Sequence, residues 1–272
     1  MRKYLFVLVC LFSSYVVVAQ IAPVIPSSVS VAGTSVSDIK SYNGFSNPAN
    51  VGFISDTRFS FQYENRFSLK ELSTKSISLV LPTKFSNISF ATSYFGYSTY
   101  NEILIGLGFS RNFSDKFSLG LQLNYFTAYS FASDRYFGSV FPQLGLNLKL
   151  TPDLHVGFSS FNPFQSYYSS DINRARIPSV FSLGGEYYFV PELVFRIQMD
   201  KELSSNYRLS SGFEYAMLDA LTLKIGAYRA DYLVPCLGMK AVMSRFEIHI
   251  NTELHPLLGL VSMASVQYRI KK

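Results

Sequence analysis

Candidate chemistry in this 272-residue chain centres on its three histidines. His249 has Glu247 and Asn251 two residues away on either side, and in a strand these three side chains point to one face. An imidazole beside a carboxylate is suited to general base catalysis, so a hydrolase acting through His249 is one hypothesis. A histidine among polar neighbours is more often structural, however. The chain also has no nucleophile-elbow, zinc-protease or phosphate-loop motif, so we predict no catalytic residue.

Metal, cofactor and nucleic-acid sites are not predicted either. Cys10 lies in the apolar N-terminal stretch, which leaves Cys236 as the only other cysteine and makes an internal disulfide or a cysteine-based metal site implausible. The formal charge of +6 is not gathered into a basic run, which argues against nucleic-acid binding. Asp200 and Glu202 flank Lys201 where a predicted strand enters a loop, and we expect these charges to be solvated.

Several charged residues occupy equivalent positions in consecutive predicted hairpins. Glu186 and Arg196 are each five residues from a predicted turn at position 191, and Glu214 and Lys224 are each five from one at 219. Residues equidistant from a hairpin turn face each other across the two strands. We therefore predict a ring of charges inside a barrel, made of Glu186, Arg196, Glu214, Lys224, Lys240 and Glu247. Paired signs favour a structural network that fills a plugged lumen, and the alternative is a selectivity ring around a pore.

The elements that must position these charges are strands with two different faces. From residue 57 onward apolar and polar residues alternate with period two, as in Leu119, Leu121 and Leu123 against Gly120 and Gln122. About fourteen such segments occur, at 57–64, 74–81, 87–95, 102–111, 116–127, 140–150, 154–161, 179–189, 193–200, 206–217, 221–228, 233–242, 245–253 and 260–270. An even number is typical of bacterial single-chain barrels.

The pattern of charge indicates that the apolar face meets lipid. From residue 117 onward the outward face of every predicted strand carries no charged side chain, and an Arg or Lys facing the bilayer midplane costs about 2–4 kcal/mol. Charged residues make up only 15% of the chain, whereas soluble domains have about 25%. No stretch after the N-terminus has the 18 or more apolar residues that a membrane helix needs. We therefore predict an all-β fold, a transmembrane antiparallel β-barrel of about 14 strands, with a secreted soluble sandwich as the alternative.

Three regions follow one another along the chain. Residues 1–19 have a charged start, an apolar centre and small residues at Val17 and Ala19, which predicts a signal peptide that is cleaved before Gln20. Residues 20–56 are rich in Ser, Val, Pro and Gly and alternate weakly, so we interpret them as an N-terminal arm or plug. Residues 57–272 form the predicted barrel. This organisation predicts export to the cell outer membrane, where lipid surrounds the wall.

Short motifs before the first strand resemble a known family. The run Val36-Ser37-Asp38, then Asn47-Pro48-Ala49, is similar to the opening of the PorV/PorQ-like outer-membrane proteins of Bacteroidetes, a group similar to FadL-type barrels. The segment Phe161-Asn162-Pro163-Phe164 resembles the same group. The resemblance implies a fourteen-stranded barrel with an N-terminal plug. It also implies that Phe45, Asn47, Pro48 and Ala49 belong to this plug and are candidates for contact with a ligand.

Two functional hypotheses follow from this resemblance. The leading one is a non-enzymatic barrel that assists type IX protein secretion or surface assembly, with secretion components or exported cargo as partners. The alternative is a FadL-like transporter of small hydrophobic molecules. An apolar cavity beneath Phe45 and beside a gap in the wall would favour transport. A lumen closed by the charge ring, without a cavity, would favour the assembly role.

Overall fold

A computed structural model describes residues 24–42, 44–131, 134–169 and 174–270 of the chain. The predicted signal peptide, at residues 1–19, lies outside these ranges. Three short 3-10 helices, Val31–Gly33, Pro48–Phe53 and Lys70–Leu72, accompany a structure that otherwise consists of strands and their connections. Among the described residues, no helix is long and apolar enough to cross a membrane.

Fourteen of the described strands form one closed antiparallel barrel, in which each strand pairs with its neighbour in the chain. The last barrel strand pairs with the first, in a register that runs from Thr57 opposite Ile270 to Arg66 opposite Val261. The prediction of an all-β antiparallel barrel of about 14 strands is thereby confirmed. The barrel strands are β1 (Thr57–Arg66), β2 (Ser73–Leu81), β3 (Asn87–Gly96), β4 (Tyr100–Phe113), β5 (Phe117–Ser130), β6 (Arg135–Lys149), β7 (Leu154–Phe161), β10 (Val180–Val190), β11 (Leu193–Glu202), β12 (Tyr207–Leu218), β13 (Leu221–Arg229), β14 (Leu233–Met243), β15 (Phe246–His255) and β16 (Gly259–Ile270).

Two further strands, β8 (Tyr167–Ser169) and β9 (Arg174–Arg176), form a small hairpin in the link between β7 and β10. Asn162 fixes the base of this link through its side-chain amide, which donates to the carbonyl of Ile177 at 2.9 Å and accepts from the N–H of Ser166 at 2.9 Å. Ser179 Oγ donates to the carbonyl of Asn162 at 2.7 Å. The two ends of the link are therefore tied to each other at its base.

Period-two alternation explains the two faces of the wall. On β5 the side chains of Leu119, Leu121 and Leu123 are 46–55% exposed, whereas those of Gln122 and Asn124 are buried inside the barrel. Closure gives each barrel strand a partner on both sides over most of its length, so an apolar exterior can face lipid with few unsatisfied backbone groups. The same residues that make the outside apolar thus place amides and hydroxyls in the lumen.

The two ends of the barrel differ in the length of their connections. At one end, called the turn end, the links span 82–86, 114–116, 150–153, 191–192, 219–220 and 244–245. At the other, called the loop end, they span 67–72, 97–99, 131–134, 162–179, 203–206, 230–232 and 256–258. Ser114 and Asp115 both have φ of 54°, as the tight turns that suit the twist of a hairpin require.

Strand pairing between β6 and β7 is interrupted near the loop end. The pairing of β6 with β7 begins at Gln143 opposite Phe161, and Asn162 N–H donates to the carbonyl of Pro142 at 3.2 Å. Beyond this point residues 136–142 of β6 pair with β5 and have no partner on β7 in the strand register. Proline has no N–H to donate, so Pro142 suits the start of an unpaired edge.

Candidate functional site

Residues 24–56, here called the N-terminal segment, lie against lumen-facing side chains of the barrel. Val31 N–H donates to the Glu214 carboxylate at 3.0 Å, and Val36 N–H donates to Gln198 Oε1 at 2.9 Å. Lys224 Nζ donates to the carbonyl of Val29 at 2.5 Å. Backbone groups inside a protein must find partners, and here wall side chains supply them.

The Asn47-Pro48-Ala49 motif packs on the inner wall formed by β4, β5 and β6. Asn47 caps the following 3-10 helix by accepting from Ala49 N–H at 3.0 Å, and its amide donates to the carbonyls of Val36 and Leu146 at 2.7 and 3.0 Å. Ser110 Oγ donates to the carbonyl of Pro48 at 2.5 Å. All three residues of the motif are buried, and none of them lines the cavity described below.

Two wall glycines allow this close approach. A Cβ added at Gly120 would overlap the backbone of Pro48 and Ala49, and one added at Gly145 would overlap the Asn47 side chain. A larger residue at either position has to displace the segment or the strand. Gly120 and Gly145 therefore leave the space on the inner faces of β5 and β6 that the N-terminal segment occupies.

Four of the six residues of the predicted ring form a continuous set of ion pairs towards the turn end. Glu186 lies opposite Arg196 and Glu214 opposite Lys224 in the strand register. Arg196 is 2% exposed and contacts Glu186 at 3.0 Å, Glu214 at 2.7 Å and Asp38 of the N-terminal segment at 3.3 Å. Lys224 is 3.7 Å from Glu214. We call Asp38, Glu186, Arg196, Glu214 and Lys224 the charge network.

The other two residues of the predicted ring lie apart from these ion pairs. Lys240 stands opposite His249 in the register, and in the described part of the chain it makes no ion pair. Glu247 contacts Arg269 at 3.1 Å and His249 at 3.9 Å. The difference arises because Lys240 and Glu247 are two positions out of register, so Glu247 reaches the neighbouring strand β16 instead.

Asp38 is the residue that sequence reasoning did not place in the ring. Its carboxylate is fully buried, accepts from Ser30 Oγ at 2.6 Å and from the backbone N–H groups of Lys40 and Ser41 at 3.1 Å each, and meets Arg196. The signal was present, because Asp38 is the only acidic residue between positions 20 and 55. If the segment lies inside the barrel, the Asp38 carboxylate needs either a cation of the wall beside it or contact with solvent.

Lys40 contacts the barrel wall at the turn end. Its ammonium lies over the Tyr188 ring at 4.3 Å, and Arg58 Nη1 donates to its carbonyl at 2.7 Å. Partial burial lowers the pKa of Lys40 below its ordinary value, against the opposing effect of the Glu186 and Asp38 carboxylates, although the residue is still exposed to solvent.

His249 is fully buried, with Lys224 Nζ at 3.3 Å from its Nδ1 and Glu247 at 3.9 Å from its Nε2. It does not line the cavity. A general base has to reach the proton that it removes, so this position gives no support to the hydrolase hypothesis. Within the described ranges, no three His, Cys, Asp or Glu side chains are grouped as a metal site would need.

A cavity of about 550 Å³ lies between the N-terminal segment and the loop end. Ile25, Phe45, Phe161 and Val180 contribute apolar lining, and links 203–206 and 230–232 border it at the loop end. Of the four segment residues predicted to contact a ligand, Phe45 is the one that lines the cavity. The volume of the cavity is within the range of small-molecule sites in proteins.

An apolar cluster adjoins this cavity inside the lumen. Phe45, Phe161 and Val180 belong to it as well as to the cavity lining. Its other buried members come from the segment, from β3 to β6 and from the β8–β9 link: Val24, Ala91, Phe95, Leu104, Phe126, Ala128, Phe141 and Ile177. Apolar side chains facing inward near the loop end depart from the polar lumen that alternation predicts elsewhere.

Charged residues also line the cavity, beside serine, glutamine and other polar side chains. Arg66 contacts Glu64 at 2.7 Å, and Arg208 lies 3.8 Å from Asp200 and 4.0 Å from the centre of the Tyr228 ring. Asp200 is 4% exposed. The prediction that Asp200 is a solvated loop charge was therefore wrong, because β11 extends to residue 202 and keeps the Asp200 side chain inside the barrel.

Comparison with solved structures finds barrels of the same fold. The toluene transporter TodX of Pseudomonas putida matches with a TM-score of 0.62 and 12% identity over 88% of this chain and 95% of that one. A FadL homologue of Pseudomonas aeruginosa matches with a TM-score of 0.63 and 12% identity, over 90% of this chain and 99% of that one. The Ralstonia pickettii toluene transporter TbuX matches with a TM-score of 0.63 and 12% identity, over 90% of this chain and 98% of that one.

No family model matches the chain, and no curated protein matches its sequence. The likeness to solved structures is therefore one of architecture. The structural neighbours are outer-membrane barrels of the FadL type, and this chain shares their fold, which here is a closed barrel of fourteen strands.

Proposed function

We propose that this chain is an outer-membrane barrel, exported by its signal peptide, that passes small molecules with apolar bodies. The observation that carries the proposal is the cavity of about 550 Å³ whose lining includes Phe45, Phe161 and Val180 and continues into a buried apolar cluster. Polar side chains would suffice to fill a lumen that only has to be closed. A pocket that is open to one end and has an apolar part in its lining suits a molecule whose apolar body must leave water.

The position of the unpaired β6 edge supports the same role. Phe141 and Phe161 stand in edge-to-face contact, with 4.8 Å between ring centres, where β6 and β7 part. The apolar cluster thus lies directly behind the break in pairing.

The N-terminal segment acts in this proposal as a plug for the turn-end half of the lumen. Asp38 joins it to the charge network, and the amide of Asn47 joins it to β6. Gln143 adds a third attachment by donating to the carbonyls of Phe45 and Ser46. Passage to the turn end requires the segment to shift, whereas binding in the cavity does not.

The test is entry of a neutral fluorescent hydrophobic probe, N-phenylnaphthylamine, into asymmetric vesicles whose outer leaflet is lipopolysaccharide. The protein should raise the rate of entry, and Phe45→Asp should abolish most of the increase because it places a charge in the apolar lining. Phe85→Asp, at an exposed position in the turn end, is the matched control and should behave like the unaltered chain. Equal entry with Phe45→Asp and the unaltered chain would contradict the proposal.

A role in type IX secretion or surface assembly, as a member of the PorV/PorQ-like group, is the second candidate. One observation favours it: residues 136–141 of β6 have no partner on β7 in the strand register, and such an edge can pair with an extended chain. Purification from outer membranes in mild detergent is the test. Recovery of secretion components or exported cargo, lost on Val140→Pro at this edge, would support it, and recovery of the barrel alone would count against it.

A further inference from the structure

We infer that the cavity selects, among molecules with apolar bodies, those that carry a hydrogen-bond-donating, positively charged head such as an ammonium group. This inference rests on the proposed function, because it concerns the same cavity. It names a class of ligand that a purely apolar lumen would not favour. The reasoning starts from the polar part of the lining.

The lining has more carboxylates than cations. Two arginines and one lysine face the cavity, Arg66, Arg208 and Lys201, together with the imidazole of His255. Five carboxylates do so: Glu64, Asp200, Glu202, Asp231 and Glu253. A cleft lined mainly by one sign of charge and walled by protein raises the local concentration of ions of the other sign.

The basic side chains are already engaged. Arg66 contacts Glu64 at 2.7 Å, and Arg208 donates to the carbonyl of Ala32 at 3.2 Å while it covers the Tyr228 ring. Lys201 Nζ donates to the carbonyl of Ser205 at 2.6 Å. An anionic head would have to displace these partners.

Glu64, Glu202 and Asp231 already accept hydrogen bonds from side chains or backbone N–H groups of neighbouring residues. The other two carboxylates, Asp200 and Glu253, are less fully engaged. Asp200 Oδ1 accepts from Gln198 at 2.7 Å, but its Oδ2 is buried without a hydrogen bond, since Arg208 is 3.8 Å away. Glu253 is bound by the neutral hydroxyl of Tyr228 at 3.1 Å. A buried acceptor without a donor costs free energy that a ligand N–H recovers.

Gln143 provides a second unmatched acceptor. Its Nε2 donates to the carbonyls of Phe45 and Ser46 and to Ser159 Oγ, which fixes the orientation of the amide. Its Oε1 is then buried without a partner. Both unmatched polar atoms of the lining are acceptors, on Asp200 and Gln143, and both residues are at least 96% buried. A head group that donates hydrogen bonds complements this lining.

The test compares three probes with one apolar body: 3-phenylpropylamine, 3-phenylpropanol and 3-phenylpropanoate. Binding is measured by calorimetry on the intact protein in nanodiscs, with empty nanodiscs subtracted. The amine should bind about tenfold or more tightly than the alcohol, since a hydrogen bond to a charged group is the stronger kind, and the carboxylate should bind most weakly. Equal affinity for amine and carboxylate would overturn the inference.

Variants locate the effect. Asp200→Asn should reduce the ratio of amine to alcohol affinity about tenfold, and Glu253→Gln should do so independently if the first variant folds poorly. Glu192→Gln removes the same charge at an exposed turn-end position and should leave both affinities unchanged. An undiminished ratio in both cavity variants would overturn the inference while leaving transport intact. Failure of the alcohol to bind at all would instead remove the proposed function.

Discussion

Replacing Arg196 with Met tests the charge network most severely. Arg196 is 2% exposed and is shared by carboxylates on β10, β12 and the N-terminal segment. Its loss leaves Glu214 with Lys224 at 3.7 Å and Glu186 with His155 at 2.7 Å, but leaves Asp38 without a cation. Breaking a buried ion pair by removing one partner costs about 3–5 kcal/mol.

Two measurements read out that cost. Urea unfolding of the protein in lipid vesicles should show a loss of stability near the lower end of this range, because Glu186 and Glu214 keep other partners. If the whole loss of about 3 kcal/mol acts on the binding of the N-terminal segment inside the lumen, the ratio of bound to released segment falls roughly a hundredfold. Single-channel recording should then show openings that the unaltered chain lacks.

The control for Arg196→Met is Arg245→Met, which removes one positive charge at an exposed position in a turn-end link. The double variant Arg196→Met with Asp38→Asn should recover part of the lost stability, because it removes the carboxylate that has no cation. If Arg196→Met and Arg245→Met have the same unfolding midpoint and the same conductance, the reasoning about the network is refuted.

Three further predictions concern the seat of the N-terminal segment and the outer wall. Gly120→Ala should reduce the free energy of unfolding by about 1–3 kcal/mol, because the added Cβ overpacks against the N-terminal segment. Gly185→Ala should reduce it little, because the nearest atom to the added Cβ would be 3.5 Å away. The midpoints of urea unfolding distinguish the two variants. Asn47→Ala should cost at least the 0.5–2 kcal/mol of a lost cap, seen as faster proteolysis within residues 24–56, and unchanged cleavage would contradict its role. Leu121→Arg should reduce folding stability in lipid by about 2–4 kcal/mol and Leu150→Arg, in a turn-end link, by about 0–1; equal losses would contradict the assigned lipid face.

The barrel could be predicted from the sequence because period-two alternation reports directly on the two faces of a strand. On β5 alternate residues had to face opposite sides of the wall: Leu119, Leu121, Leu123 and Tyr125 point outward, whereas Ser118, Gly120, Gln122 and Asn124 point inward. The pairing of β5 with β4 and β6 then followed from this pattern. Hairpin symmetry likewise gave the register of Glu186 with Arg196, because distance from a tight turn determines which residues face each other. The β8–β9 hairpin was not predicted, because its strands are only three residues long and do not pair with the barrel.

The site was harder to predict because it depends on contacts between distant parts of the chain. Asp38 reaches Arg196 across 158 positions, and no local pattern joins them. Asp200 was misplaced because the boundary of β11 decides whether it is inside the lumen or in solvent. The apolar cluster was missed because Phe126 and Phe141 face inward, against the rule that lumen faces are polar.

The central claim, that the cavity holds molecules with apolar bodies, is tested most directly by anomalous diffraction from crystals soaked with bromobenzene. Our account predicts a bromine peak inside the lumen, in contact with Phe45 and Phe161. Peaks confined to the lipid-facing exterior, with an empty cavity, would contradict it.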